Sequence, residues 1–157
     1  MAITWTKEWA GVDDGTLLKA VDLRNIQTDL ANVLQSSDLH MKTVTFTRNT
    51  ADASGTQAVT GVGFTPKAVV FLSLQIGSDE MSIGIDDGVT AYAMYDDTPT
   101  SANTYGGTAT SSIHGIETVG NTYVGKVTAF GADGCTITWT KTGTPTGTLT
   151  VYALFLG

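Results

Sequence analysis

The sequence predicts a mainly β protein: an antiparallel, jelly-roll-like β-sandwich of about eight strands preceded by one short N-terminal α-helix. Three observations lead there. The run GVGFTPKAVVFL, Gly61 to Leu72, turns at Phe64-Thr65-Pro66 and continues into five apolar residues, Ala68 to Leu72. Pro66 fixes its own φ and drives Thr65 out of the helical region, so the chain leaves this turn extended. The apolar run is too short for a membrane span and has no polar interruption, which predicts a strand buried on both faces, or nearly so, at the centre of the domain. Second, from Met41 onward short apolar or threonine-alternating runs are punctuated by Gly, Asp and Asn turns. Third, a helical stripe occurs in one passage alone, before residue 40.

Residues 1–40 read as an attachment and self-assembly segment and residues 41–157 as the sandwich. Trp5 and Trp9 lie in the first of these, ahead of the turn-forming Asp13-Asp14-Gly15. They either tuck onto the body of the domain or anchor the chain to another subunit, and Trp enrichment at interface hot spots favours the anchor. Leu23, Ile26, Leu30 and Val33 recur at spacings of three, four and three, and Leu34 widens the stripe. This predicts a helix over about residues 22–36 with Asp22 as N-cap. Its apolar face can lie on the sandwich or pack against its own copies. Two heptads do not hold a coiled coil alone, so a bundle would need support from the β-domains.

The strands follow in order. Val44 and Phe46 alternate with Thr43, Thr45 and Thr47 as a half-buried strand, and Arg48 to Gly55 is a polar turn. Strands are expected over 57–62, 67–76, 81–85 and 89–95, with the Asp86-Asp87-Gly88 hairpin signal before the last. Residues 96–107 form the longest loop, and further strands are expected over 108–117, 121–130, 135–141 and 147–156. Cys135, Ile137 and Trp139 face one way and Thr136, Thr138 and Thr140 the other.

Composition narrows the function. The 157 residues carry a net charge of −7, and only 15% are charged, well below the usual roughly 25%. So acidic a chain lacks the basic footprint that nucleic acid or an anionic membrane requires. A single cysteine, Cys135, excludes an intrachain disulfide. No Cys/His cluster points to zinc, and no cofactor or metal is expected. The first residues lack the apolar run of a signal peptide, and no stretch reaches the length of a transmembrane helix. The chain is expected to be made in the cytoplasm and either to stay soluble or to join a larger particle.

Candidate chemistry is sparse. No G-x-S-x-G occurs, and the histidines are His40, at the junction of helix and sandwich, and His114, in an expected strand. A satisfied or solvent-facing role suits His114 better than that of a catalytic base. The pairs Asp13-Asp14, Asp79-Glu80, Asp86-Asp87 and Asp96-Asp97 read as turns, with calcium between two loops as the other reading. Cys135 reads as a small core residue. Tyr92, Tyr95 and Tyr105, near loops, read either as ordinary packing or as platforms for a sugar ring.

Two passages carry a resemblance. GTQAVTGVGFTPKAVVFLS resembles a segment that opens a Gly/Thr-rich β-sandwich in small tailed-bacteriophage virion proteins. DGTLLKAVDLRNIQTDLANVL is similar to an N-terminal attachment motif of phage fibre-like proteins, matching at Gly15, Leu18, Ala20, Asp22 and Leu23 and departing at Arg24. The resemblance implies a non-enzymatic homotrimer on the virion, assembled with other virion proteins through its N-terminal segment. It implies a tail fibre or tail-associated projection that could contact a host glycan. A capsid decoration protein is the alternative, and a small carbohydrate-active enzyme the third reading.

Overall fold

The computed structural model describes residues 24–28, 40–75, 80–96 and 105–157. The chain divides into two units, residues 1–38 and 39–157. In the first, residues 24–28 form a helical turn in which the Thr28 hydroxyl donates to the Arg24 carbonyl at 2.8 Å. Ile26 is 56% exposed there. Trp5, Trp9, Leu23, Leu30, Val33 and Leu34 lie outside the described residues.

The second unit is the β-body. Its described strands are β1 (Met41–Asn49), β2 (Gly55–Val59), β3 (Ala68–Gln75), β4 (Met81–Asp86), β5 (Ala91–Asp96), β6 (Tyr105–Thr108), β7 (Ile113–Thr118), β8 (Asn121–Gly131), β9 (Gly134–Thr142) and β10 (Thr148–Leu156). They form a six-stranded sheet in the order β1-β10-β3-β4-β5-β6 and a four-stranded sheet in the order β2-β9-β8-β7. Every pairing is antiparallel. Two meanders, β3 to β6 and β7 to β9, supply most of it, and β10 returns to pair between β1 and β3.

The two sheets enclose one apolar core. Phe71, Val69, Leu149, Val151, Ala153 and Phe155 come from the six-stranded sheet. Ile113, Tyr123, Val127, Ile137, Cys135 and Trp139 come from the other. Phe46 of β1 meets Phe71 edge-on with ring centroids 6.4 Å apart. The Trp139 indole N–H donates to Gln57 Oε1 at 3.0 Å, so its one polar group is satisfied inside.

Ten strands are described where nine runs were expected to build a sandwich of about eight, and the added one is β6. Its YGGT sequence lies inside the expected loop because glycine is a poor strand former. The glycines fit the site: a Cβ on Gly106 would lie 2.3 Å from the Tyr95 ring. β5 begins two residues later than the alternation suggests. Asp87 Oδ1 accepts from the backbone N–H groups of Val89 and Thr90 and holds that segment in the turn.

A larger correction concerns β3. The apolar run does not give a strand buried on both faces. Val69, Phe71, Ser73 and Gln75 point inward, whereas Leu72 and Leu74 point outward and are 47% and 43% exposed. The strand is interior to its sheet but open on the outer side.

Candidate interaction face

The outward side of the six-stranded sheet holds the least ordinary feature of the body. Strand polarity there is inverted. In β4 the inward residues are Ser82, Gly84 and Asp86, while Met81, Ile83 and Ile85 face out. In β5 the inward residues begin with Ala91 and Ala93, while Tyr92 and Met94 face out. A half-buried sheet normally does the reverse. Because side chains alternate with period two, a slip of one residue would bury Met81, Ile83 and Ile85 instead.

Inward polar bonds hold the observed register. Asp86, 2% exposed, accepts through Oδ2 from the Ser112 hydroxyl at 2.8 Å and from the Val127 backbone N–H at 2.9 Å. Its Oδ1 accepts from the Gly88 N–H at 2.9 Å. The Ser73 and Ser82 hydroxyls share a hydrogen bond of 2.7 Å, and Ser82 Oγ accepts from the His114 backbone N–H at 3.2 Å. Small side chains let the sheets approach closely, for a Cβ on Gly84 would sit 1.9 Å from the Ser112 carbonyl oxygen. A buried carboxylate with three donors is well compensated only in this orientation.

The outward residues are contiguous. Across the pairs, Leu72 is flanked by Tyr152 and Ile83, and Ile83 by Met94. Leu74 opposes Met81, Val70 opposes Ile85, and Ile85 opposes Tyr92. Ile85 is 51% exposed and Met94 67%. The outward positions on β10, β3, β4 and β5 include no charged side chain until Asp96, at the end of β5. Beside β5 the missing side chain of Gly107 leaves a shallow apolar depression, bordered by Ile83, Ile85, Tyr92 and Met94.

The three tyrosines do not converge. Tyr92 faces out on β5, and Tyr105, opposite Asp96 in β6, lies on the same side. Tyr95 faces inward and stacks on His114 with ring centroids 3.9 Å apart and an interplanar angle of 13°. Tyr152, which joins the outer face, was not singled out by the sequence. The signal that could have found it is the both-faced apolar character of TLTVYALFL in β10.

Asp13, Asp14, Asp79 and Asp97 lie outside the described residues, and several of the other candidates serve the fold. Ser111 Oγ and His114 Nδ1 are 3.5 Å apart, at the limit of a hydrogen bond. Asp87 anchors its turn, and bonds from Thr90 and Val89 hold its carboxyl below the ordinary aspartate value. Asp133 accepts from Gly63 N–H at 2.6 Å and Gly61 N–H at 3.0 Å. Those bonds, Gly61 first, lower its pKa likewise. Cys135 lies in the core, and burial pushes its thiol up to about 12. Among the described residues no three metal-ligating side chains gather. No family model, curated protein or solved structure matches the chain.

Proposed function

We propose that the chain is a structural component of a bacteriophage virion. It would be a homotrimer in a tail fibre or tail-associated projection, docked on other virion proteins through residues 1–37 and without a reaction of its own. One observation supports an assembly role above the resemblance: the uncharged apolar face around Leu72, Ile83, Ile85 and Met94. Soluble monomers rarely expose contiguous apolar patches beyond about 300–600 Å². A protein that works by being packed against others carries such a face as a matter of course.

A host glycan remains a proposed ligand of the same body. Tyr105, 83% exposed, is the tyrosine best placed for it. Tyr95 is already engaged with His114. A capsid decoration protein would need the same kind of face to clamp capsomers. Immunogold labelling of virions made from the genome carrying this gene separates these readings. Label on the tail is expected. Label on the head moves the protein to the decoration reading, and particles without label overturn the virion assignment.

A further inference from the structure

We infer that the outer face of the six-stranded sheet is covered by another copy of this same chain. The inference rests on reading that face as an assembly surface and names its occupant. Three features of the face select a like copy over a different partner.

The first is chemistry. The outward side chains of β10, β3, β4 and β5 are uncharged up to Asp96, although the chain carries a net charge of −7. Copies of an acidic protein repel one another across most of their surface. They can approach at contact distance only where charge is absent. A basic or acidic partner would be expected to leave complementary charges on the face, and the face offers none.

The second is area. Leu72, Leu74, Met81, Ile83, Ile85, Tyr92, Met94 and Tyr152 are each between 41% and 67% exposed. Taking about 200 Å² for a fully exposed residue of this size, they present roughly 800 Å². A standard stable interface buries about 800 Å² per partner. The patch is therefore a whole interface, beyond what stray exposed side chains would make.

The third is the inversion itself. β4 places Ser82, Gly84 and Asp86 in its own core and Met81, Ile83 and Ile85 outside. As a lone chain this strand forgoes the burial of its largest side chains. A surface made of paired strands also presents few free backbone donors, so a partner packs on it through side chains, sheet against sheet, about 10 Å apart. A second copy brings the same ridge of branched and aromatic side chains to that contact.

Light scattering on the full chain in solution tests this. The expected mass at micromolar concentration is a multiple of the 16.4 kDa chain. Ile83→Lys and, separately, Met94→Lys should shift it to one chain while circular dichroism keeps its β signature. Thr140→Lys, on the outer side of strand β9 in the other sheet, should leave the mass unchanged. Peroxide oxidation of the unsubstituted protein gives a readout independent of any variant. Met81 and Met94 should be protected well beyond their exposure in the lone chain. A monomeric wild-type protein overturns the inference. So does an oligomer that survives both substitutions in folded form, or methionines that oxidise as fast as the free amino acid. These results are separable from the virion assignment, since a monomer could still label particles and an oligomer could be absent from them.

Discussion

At the scale of single residues, Asp86 shows how the body is held in one register. It is buried, and its carboxylate receives the Ser112 hydroxyl and the Val127 and Gly88 N–H groups. Removing it would leave the buried Val127 N–H unmatched and take one partner from Ser112 and Gly88, and an unmatched buried donor costs about 1–3 kcal/mol. Asp86→Ala is therefore expected to lower unfolding free energy by about 3 kcal/mol or more in urea titration, with Ser112→Ala costing about half as much or less. Asp133 behaves differently because it is exposed. Its pKa is lowered by the Gly61 and Gly63 N–H bonds, so the folded state binds fewer protons than the unfolded one as pH drops. The stabilisation is present above the ordinary aspartate pKa. It disappears as pH falls, from about pH 5 downward, through the lowered folded value. Thermal melts of the native protein and Asp133→Ala should differ at pH 7 and converge in acid. A gap that stays constant to pH 2 would mean the carboxylate bonds do not stabilise the fold.

At the scale of elements, close approach governs what is tolerated. β4 packs on β7 with no space above Gly84, where a Cβ would meet the Ser112 and Tyr92 carbonyls at 1.9 and 2.6 Å. Both contacts are backbone, so neither can swing aside. Gly84→Ala should cost about 2–3 kcal/mol. Gly107→Ala on β6 meets nothing nearer than 3.9 Å and should be neutral within about 0.5 kcal/mol. Equal losses at the two positions would refute the packing argument. The same elements show what the sequence could disclose. Alternation made β1 and β9 readable, because their inward residues are mostly apolar and threonines line the other side. It placed Cys135, Ile137 and Trp139 in the core, where they are. In β3 it failed, because a strand apolar on both sides cannot say whether its second face meets its own domain or another surface. β4 also misleads, since Met81, Ile83 and Ile85 look like a core face until Asp86 and Ser112 fix the opposite orientation. β6 was hidden because its Gly106 makes room for Tyr95, a reason that local propensity does not carry. The interaction face was thus written in the sequence as surplus apolar residues, but its direction needed the partner strands.

At the scale of the whole molecule, the width of the apolar stripe bears on how many copies would meet. It spans four strands, β10, β3, β4 and β5. On one side β1 turns Met41, Thr43, Thr45 and Thr47 outward, and on the other β6 turns out Tyr105 and Gly107. Strands lie about 4.8 Å apart and packed sheets about 10 Å apart. Three sheets set at half that separation from a threefold axis enclose a triangular prism with sides of roughly 17 Å, which is close to four strands at that spacing. A narrower stripe would leave the prism walls polar at their corners, and a wider one would leave apolar side chains outside. We therefore expect light scattering to give three times 16.4 kDa. In a cross-linking series, dimers should appear only as intermediates on the way to trimers. The single substitution Leu72→Lys, near the middle of the stripe, should weaken the assembly more than Tyr152→Ser at its β10 border, because a buried unpaired ammonium costs far more than lost contact area. A stable mass of two chains would mean that the faces meet flat about a twofold axis, and the prism would be wrong even though the face is shared between copies.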